Sequence, residues 1–476
     1  MAGNLGLVPR TAMVGRAREL ARLREHLARL LTGDGGFVLI KGEAGIGKTA
    51  LLAELAQEAG ERDLLVLAGY CYEQRAAPPY GPWLDLLAAY QPSGTLPVVP
   101  ATLRDDTGRA TLGSLDAFFS QFARFFGEIA AQQPLLLVLE DLHWCDPASL
   151  DLLRFLTRHL RQHPILIVAT YREDDLTRQH PLYEALPHFV REGYAERMSL
   201  HRLDSVSTRA LIRAEYHLPA TDETRLVDHL QRLAEGNPFF IHELRRDLEE
   251  AGVLRQSDEI WRLDELAGTQ VPPLVQQVID GRLRRVDEDI RELLEIAAVI
   301  GQDVPLDLWR TVSGVTDATM IAVVAEAAEA HWLQEAPDGR GLRFSHALVR
   351  EALHDRVVLP RRRLLHLRVA ESLATGPAPP SDAVAYHFTP AGDPRAIDWL
   401  IQAGERARGL YAPAAAIAHF TTAETLAARH ERPLPPAIYR ARGLAHDLIG
   451  SFEPARDDFE TALTMARQSN DWQAEW

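Results

Sequence analysis

The segment from Gly42 to Thr49 constrains the fold of this chain most strongly, because it matches the pattern G-x-x-x-x-G-K-T in full. An apolar run of buried-strand type, Phe37 to Ile40, leads into it, and a helical pattern continues from Ala50 to Glu58. A phosphate-binding loop (P-loop) requires this order of strand, glycine-rich loop and helix. The sequence therefore predicts an α/β core in which the loop follows a strand.

Other short apolar runs supply the remaining strands of this core. They lie at Leu64 to Ala68, Leu135 to Leu139 and Ile165 to Thr170, with helical stretches between them. Short buried strands that alternate with helices are typical of a parallel sheet covered on both faces. We therefore predict a P-loop core built on a parallel sheet.

The glycines of the loop suit it to phosphate. Gly42, Gly45 and Gly47 allow backbone N–H groups to turn inward, and the dipole of the following helix favours negative charge at its start. Ala50, in the first turn of that helix, is included among the predicted nucleotide contacts. These residues predict a cradle for the phosphates of ATP or ADP.

Lys48 and Thr49 complete the predicted phosphate site. Lys48 is one of two lysines among 51 basic residues, the other being Lys41. A lysine kept in such an arginine-rich chain indicates a role that needs a compact ammonium. We predict that Lys48 bridges the β- and γ-phosphates and that the Thr49 hydroxyl binds Mg²⁺.

Two carboxylates, Glu140 and Asp141, follow the apolar run that ends at Leu139. In P-loop ATPases one such acid holds Mg²⁺ through water, and the other polarises the attacking water. The usual order places Asp first, so the sequence leaves the division of labour open. Both acids are candidate catalytic residues and magnesium ligands. Arg172, after the run that ends at Thr170, is the candidate cation facing the γ-phosphate.

Length and composition limit the classes of protein. At 476 residues the chain is too long for one hydrophobic core, and about three or four domains are expected. A net charge of −16 argues against broad electrostatic binding to nucleic acid. No apolar run reaches about 18 residues, which predicts no membrane-spanning helix. The two cysteines, Cys71 and Cys145, fit a reducing cytoplasm, where we expect the protein.

Helical patterns dominate after the core. The segment from Leu203 to Ala251 is wholly helical in pattern, and Pro272 to Arg363 ends in a hairpin-like stretch, His331 to His346. Beyond it, small residues on one helix and A-x-x-x-F-x-x-A on the next occur twice, around Phe420 and Phe459. This resembles tetratricopeptide (TPR) repeats, although the spacing exceeds their usual period of about 34 residues.

These motifs together resemble the signal-transducing P-loop ATPases with numerous domains (STAND), and more closely the large ATP-binding regulators of the LuxR type. The ATPase modules fused to some bacterial cyclases and kinases are similar. The closer resemblance rests on Cys71-Tyr72-Glu73, on Pro79 to Trp83, on the acidic segment Glu140 to Trp144, and on Gly236-Asn237-Pro238-Phe239.

The resemblance implies further nucleotide contacts. Val14, Gly15 and Arg16 resemble the family motif that lies against the adenine and ribose. Pro238 resembles the lid proline that packs on the base. Phe344-Ser345-His346 resembles the end of the family's winged helix, which implies that His346 contacts the β-phosphate of ADP.

The resemblance also implies a domain order and a function. The expected domains are a nucleotide-binding domain at 1–202, a helical lid at 203–268, a winged helix at 269–365 and TPR-like repeats at 366–476. The implied function is a slowly hydrolysing switch, the regulatory ATPase portion of a bacterial transcriptional regulator. A small-molecule inducer or a protein would act at the repeats, and ATP-dependent oligomers are possible partners. The pattern stops in mid-repeat at Trp476, so DNA contact is expected only through a missing C-terminal domain.

Two other classes stay open. The chain could be a scaffold in which bound nucleotide is structural and the repeats bind partners, or the ATPase module of a cyclase or kinase. A DNA-loading ATPase of the origin-recognition type shares the core and the winged helix, but the acidic charge and the repeats count against it.

Overall fold

A computed structural model describes residues 13–71, 78–104, 114–173, 176–177, 179–191, 195–257, 260–266, 287–330, 332–336, 341–345 and 347–469 of the chain. The elements below are those of this described part.

Five parallel strands form the central sheet in the spatial order β2-β3-β4-β1-β5. Their bounds are β1 Gly36–Lys41, β2 Leu65–Tyr70, β3 Leu135–Glu140, β4 Ile165–Tyr171 and β5 Glu196–Ser199. Every residue of β3 and β4 is buried, as expected for central strands covered on both faces. This sheet confirms the predicted P-loop α/β core.

Helices cover both faces of the sheet. They are α1 Ala17–Leu31, α2 Lys48–Glu61, α3 Gly81–Ala89, α4 Ala101–Arg104, α5 Leu115–Ala130, α6 Pro147–His159 and α7 Pro181–Arg191. Leucines of α1 and α2 pack on one face, and the phenylalanines of α5 pack on the other. The sequence did not predict β5, because this edge strand is polar and buries only Met198.

A helical segment follows the sheet, where the sequence predicts helices from Leu203 to Ala251. It consists of α8 Ser205–Glu215, α9 Ala220–Ala234 and α10 Pro238–Glu250. The antiparallel strands β6 Leu254–Ser257 and β7 Ile260–Leu263 come next. The sequence did not predict these two strands, because segments of four residues are too short to show a clear alternating pattern.

The third segment combines helices with a small antiparallel sheet, in the manner of a winged helix. Its elements are α11 Glu288–Ile300, β8 Asp303–Pro305, α12 Leu306–Ser313, α13 Asp317–Glu329, β9 Leu333–Glu335, β10 Gly341–Phe344 and α14 Ala347–Arg356. The strand order is β8-β10-β9. The pairing of β9 with β10 confirms the predicted hairpin, whose turn lies outside the described residues.

The C-terminal segment is wholly helical. It comprises α15 Leu359–Ala374, α16 Ser381–Ala391, α17 Ala396–Gly409, α18 Pro413–Arg429, α19 Pro436–Leu448 and α20 Phe452–Ser469. A Cβ added to Gly404 would lie 2.5 Å from the Phe420 ring, and one added to Gly443 would lie 2.8 Å from the Phe459 ring. The glycine of one helix therefore receives the aromatic ring of the next, which confirms the predicted helical repeats.

The repeats pack on the sheet domain at the turn between α17 and α18. Leu410 is 2% exposed and belongs to the same apolar core as the phenylalanines of α5. Beside it, the Tyr80 hydroxyl donates a hydrogen bond to the carbonyl of Tyr411, at 3.3 Å. The repeats and the nucleotide-binding core therefore share buried surface.

Across the described ranges, no single helix is long and apolar enough to cross a membrane. The pair α12 and α13, bent by 119°, passes that test together by length and composition only. The domain boundaries at 202/203, 268/269 and 365/366 stay predictions.

Candidate functional site

The glycine-rich loop connects the end of β1 to the start of α2 and adopts backbone conformations that favour glycine. Gly45 has a φ of 73° and Gly47 a φ of 97°, both in the left-handed region. A Cβ on Gly45 would lie 2.7 Å from Cβ of Phe239, so this position also lacks room for a side chain. The sequence G-x-x-x-x-G-K-T thus forms an inward-curled loop at the amino end of a helix, a geometry suited to anions.

The Lys48 ammonium lies against this loop. Its Nζ donates hydrogen bonds to the carbonyls of Gly42 and Glu43, each at 2.9 Å, and the residue is 7% exposed. Lys48 is also the first residue of α2. The loop therefore holds a nearly buried cation beside the backbone amides that begin the helix.

Thr49 and Glu140 meet directly, although they lie far apart in the sequence. The Thr49 hydroxyl donates a 2.6 Å hydrogen bond to Oε2 of Glu140, the last residue of β3. Burial, together with the nearby charge of Asp141, raises the pKa of the Glu140 carboxyl to about 7. The hydrogen bond from Thr49 opposes that shift. Glu140 is therefore the acid that the structure joins to the P-loop.

Asp141 occupies a different position from its neighbour. Its backbone turns into the left-handed region, with a φ of 59°, and its N–H donates to Oγ1 of Thr170 at 3.0 Å. Its carboxylate Oδ1 lies 3.9 Å from Nδ1 of His143 and is partly exposed. The left-handed turn separates the two acids, so that Glu140 faces Thr49 while Asp141 stays at the accessible edge.

His143 and Arg172 form a second layer behind these acids. The His143 side chain is buried, its Nδ1 accepts from the Arg172 backbone N–H at 3.4 Å, and His180 Nε2 lies 2.8 Å from its carbonyl oxygen. Burial, together with the charges of Arg172, Lys48 and His180, lowers the pKa of His143 to about 2. The imidazole is therefore neutral at physiological pH.

The Arg172 side chain packs on an aromatic ring. Its Cζ lies 4.9 Å from the centroid of the Trp144 ring, a cation–π arrangement. The residue stands one position after β4, at the predicted strand end. Its predicted contact with the γ-phosphate stays a prediction.

The N-terminal motif is bonded to the P-loop through Arg16. The Arg16 guanidinium is 4% exposed and donates to the carbonyls of Ile46, at 2.8 Å, and His201, at 2.7 Å. Gly15 has a φ of 75°, and a Cβ there would lie 2.7 Å from the Leu203 side chain. Val14, Gly15 and Arg16 thus lie where the P-loop meets the first residues of the predicted lid. Their predicted contact with adenine and ribose is untested.

The lid touches the P-loop through the start of α10. The Asn237 side-chain amide donates to the Ala44 carbonyl at 2.9 Å, and the Phe239 backbone N–H donates to the Gly45 carbonyl at 3.2 Å. Pro238 lies between these two contacts, as the first residue of α10. The predicted base-packing proline is therefore placed beside the loop, although its contact with a base is untested.

An ion-pair bridge supports the same junction. Nε and Nη2 of Arg202 donate to the Glu43 carboxylate at 2.6 and 2.9 Å, and Nη1 contacts the Glu235 carboxylate. Two parallel bonds between a guanidinium and a carboxylate fix geometry better than a single contact. Arg202, which precedes the predicted lid, therefore joins the P-loop residue Glu43 to the end of α9.

His346, the predicted partner of the β-phosphate, lies outside the described residues. Sequence reasoning also missed three residues that the structure places at the site, namely Thr170, Asn237 and Arg202. Thr170 belongs to a predicted strand, which gave no sign of a role at the site. Asn237 belongs to the motif Gly236 to Phe239, in which only Pro238 was assigned a contact. Arg202 lies in a loop where no motif marks it, so no sequence signal could have found its pairing with Glu43.

The residues present fit a nucleoside triphosphate with Mg²⁺. The inward loop and the buried ammonium suit phosphates, and hydroxyl and carboxylate oxygens such as those of Thr49 and Glu140 are donors that Mg²⁺ prefers. Within the described part of the chain, no group of three or more His, Cys, Asp and Glu side chains is arranged to hold another metal.

Comparison with protein families gives one match over the site. Residues 12–168 match the family model of the AAA ATPase domain. That span includes the P-loop and the acidic end of β3. The phosphate-binding part of the site therefore lies within the span that is similar to an AAA ATPase domain, whereas Arg172, Arg202 and Asn237 lie beyond it.

Two curated proteins show sequence similarity over longer ranges. An uncharacterized protein of Rhizobium meliloti (strain 1021) is 26% identical over 520 residues, which cover 96% of this chain and 47% of that protein. A peroxide stress-activated histidine kinase of Schizosaccharomyces pombe is 24% identical over 261 residues, which cover 52% of this chain and 11% of the kinase. The chain thus spans less than half the length of either relative.

One solved structure has a similar overall fold. It is a signal transduction ATPase with numerous domains (STAND) from Pyrococcus horikoshii, with a tetratricopeptide repeat sensor. The TM-score is 0.53 at 15% identity, over 98% of this chain and 67% of that one. The finer resemblance to LuxR-type regulators stays a prediction. What the likeness shows is the fold alone: a P-loop α/β core followed by helical repeats.

Proposed function

We propose that this chain is an ATP-binding signalling switch that hydrolyses ATP slowly. The observation that carries the proposal is the Thr49–Glu140 hydrogen bond beside the Lys48 ammonium. These are the residue types that P-loop ATPases use for Mg²⁺ and for the β- and γ-phosphates. The AAA ATPase domain match and the STAND-like fold support a signalling ATPase.

The geometry suggests how the two acids divide their work. Glu140 bonds to Thr49, so we assign it to the Mg²⁺ side of the site. Asp141 sits at the accessible edge, held by Thr170, so we assign it to orienting and polarising the attacking water. When bound, Mg²⁺ would supply charge neutralisation on the phosphates, and Lys48 would add a second cation.

The lid contacts support a switch rather than a fast enzyme. Asn237 and Phe239 hold the lid on the P-loop, and Arg202 ties Glu43 to the end of α9. Bound nucleotide would therefore be released only when these contacts open, which makes exchange a point of control. We propose that a small-molecule inducer or a protein at the repeats biases this opening, and that oligomers form in the ATP state.

The biological setting we favour is the regulatory ATPase portion of a bacterial transcriptional regulator. It rests on the motifs that resemble LuxR-type regulators, from Cys71 to Trp83 and from Gly236 to Phe239. Any DNA contact would come from a part of the protein outside these residues. The domain boundaries proposed above, at 202/203, 268/269 and 365/366, divide the chain into core, lid, winged helix and repeats.

The two lysines of the chain provide a matched test of ATP binding. Lys48→Ala should abolish ATP binding measured by calorimetry, because the phosphates lose their nearly buried cation. Lys41→Ala removes the same charge from the last residue of β1, where Lys41 pairs with Glu173 at the surface. This variant should leave ATP affinity unchanged. Equal ATP affinity in the two variants would overturn the phosphate site.

The second candidate is the ATPase module of a kinase or cyclase. The similarity to a fission-yeast histidine kinase over 52% of this chain favours it. Both candidates share the same switch and differ in the output domain. Sequencing the locus beyond codon 476 separates them, since a helix-turn-helix supports the regulator and a kinase or cyclase domain supports the module.

A nucleotide-occupied scaffold is the remaining alternative. A scaffold should carry bound nucleotide through purification and show negligible phosphate release. Measured turnover in the parent chain that is lost in Lys48→Ala would exclude it.

A further inference from the structure

Arg343 on β10 brings the winged-helix segment against the carboxyl end of the central sheet. We propose that Arg343 is a positioning residue, a latch that holds this segment on Tyr70 beside Glu140. The predicted latch, His346, lies outside the described residues, whereas the Arg343 contact lies within them. The nucleotide part of this inference rests on the proposed function, but the domain contact does not.

The contact has a defined geometry. Cζ of Arg343 lies 4.1 Å from the centroid of the Tyr70 ring, a close cation–π stack. On its own segment, the guanidinium donates through Nε to Oδ1 of Asp303, at 2.5 Å, and through Nη2 to Oδ2, at 3.2 Å. Asp303 begins β8, so the neighbouring strand fixes the arginine before it meets the ring.

The burial of the pair separates it from an ordinary surface contact. The Arg343 side chain is 12% exposed. Burial raises the pKa of the Tyr70 hydroxyl, the charge of Glu140 raises it too, and the charge of Arg343 opposes both. The ring therefore stays neutral and offers its face to the guanidinium, and partial desolvation strengthens such a stack.

Tyr70 connects this contact to the phosphate site. It is the last residue of β2, and Glu140, the last residue of β3, is its register partner on the neighbouring strand. Register partners in a parallel pair point to the same face, so the Tyr70 ring and the Glu140 carboxylate are neighbours. Glu140 in turn accepts from Thr49 of the P-loop. The side chains of Tyr70 and Glu140 thus connect Arg343 to Thr49 of the P-loop.

This arrangement gives the latch a consequence for nucleotide exchange. The P-loop is held by the lid at one end, through Asn237, and its acid partner Glu140 lies beside Tyr70 at the other. If the winged helix leaves the sheet, Tyr70 loses its cation and the edge beside Glu140 becomes accessible to water. Loss of the latch should therefore open the chain and speed nucleotide release.

The contact between the winged-helix segment and the sheet domain can be tested without nucleotide, by Förster resonance energy transfer between two dyes, one on each part. One dye is placed at Arg124→Cys on α5 and the other at Ile321→Cys on α13; these positions are 75% and 70% exposed, and the two native cysteines are buried. Arg343→Gln should lower the transfer efficiency, and Arg343→Lys, which keeps the charge, should restore part of it. Arg310→Ala is the matched control, because it removes a guanidinium from the same segment at an exposed pair with Asp317.

Nucleotide release supplies the second readout. A cation–π contact of this kind corresponds to about a two- to thirty-fold change in an equilibrium. Arg343→Gln should accordingly release a fluorescent ADP analogue about two- to thirty-fold faster than the parent chain, with Arg343→Lys between them and Arg310→Ala at the parent rate.

The two hypotheses fail in different ways. If the parent chain does not bind the ADP analogue, the proposed function is wrong, while the energy-transfer arm still tests the latch. If the parent binds the analogue but Arg343→Gln matches Arg310→Ala in both transfer and release, the latch is wrong. Should Arg343→Gln fail to fold by circular dichroism, Tyr70→Leu removes the ring from the other side of the contact. Unchanged transfer in that folded variant would overturn the latch equally.

Discussion

Glu140 is buried at the end of a strand, yet the role proposed for it beside Mg²⁺ requires an anion. Burial and the charge of Asp141 raise its pKa to about 7, even though neighbouring donors and cations oppose this shift. The Thr49 hydroxyl supplies one such donor, and the charges of Lys48 and Arg343 also favour the ionised form. A divalent cation at this position would favour it more strongly.

The two acids should therefore respond differently to neutralisation. Glu140→Gln should weaken ATP affinity in the presence of Mg²⁺ and leave the Mg²⁺-free affinity nearly unchanged, as measured by calorimetry. Asp141→Asn should bind Mg²⁺ and ATP normally but lose about 10²- to 10⁴-fold in phosphate release, the usual contribution of a general base. Glu61→Gln, at the exposed end of α2, is the control acid. Full ATPase activity in both Glu140→Gln and Asp141→Asn would make the pair structural.

At this scale the sequence predicted which residues could act and could not predict how they are arranged. The sequence singled out Lys48, Thr49 and the pair Glu140 and Asp141, and the structure joins Glu140 of this pair to Thr49. The sequence could not separate Glu140 from Asp141, because that depends on the left-handed turn at Asp141 and on its bond to Thr170. The roles of all these residues stay predictions until they are measured.

At the scale of elements, the P-loop and helix α10 are held together by one residue, Asn237. Asn237 caps α10 by accepting from the Phe239 N–H at 3.1 Å, and the same side chain donates to the P-loop carbonyl of Ala44. One residue thus stabilises the lid helix and holds it on the loop. This double use explains why an asparagine, with both an acceptor and a donor, suits the position.

A matched pair of helix caps separates these two uses of Asn237. Asn237→Ala should cost about 0.5–2 kcal/mol of stability, as for any lost cap, and should also speed nucleotide exchange because the lid loses its bond to the loop. Asp204→Ala removes the cap of α8, a 2.7 Å bond from the Ser207 N–H, without touching the loop. Both variants should lose stability in urea unfolding, but only Asn237→Ala should exchange a fluorescent nucleotide faster. Equal exchange rates would show that the lid is held by other contacts.

Element prediction succeeded where the pattern was long or strongly apolar and failed where it was short or polar. The strands before the P-loop and before Glu140 were found because their residues are buried on both faces. The edge strand β5 and the β6–β7 hairpin were missed, since they span four residues each and β5 buries a single side chain. The glycine and aromatic pairing of the repeats was predictable, because Gly404 and Phe420 must approach closely for the helices to pack.

At the scale of the whole molecule, the C-terminal repeats are held on the sheet domain by contacts between residues far apart in the sequence, which no local sequence pattern predicts. Ala148 on α6 packs against both the sheet core and the core of the repeats, and Leu410 joins the sheet core from the turn after α17. The Tyr80 hydroxyl bonds to the carbonyl of Tyr411 next to it. The repeats, where we place the inducer, therefore touch Tyr80, the residue directly before α3. A signal at the repeats could reach the ATPase core through this surface.

This docking surface can be broken without unfolding the repeats. Leu410→Asp would place a carboxylate in an apolar core, and burying a leucine there contributes about 1.5–3 kcal/mol in the parent chain. We expect the repeats to detach while helix content stays the same, so that the radius of gyration from X-ray scattering increases and circular dichroism does not change. Leu448→Asp, at a position that is 70% exposed, should alter neither quantity. Leu434→Asp, in the core of the repeats, should instead lower helix content, because it disrupts their own packing. If Leu410→Asp keeps the parent radius of gyration, the repeats are held on the ATPase core by a surface other than this turn.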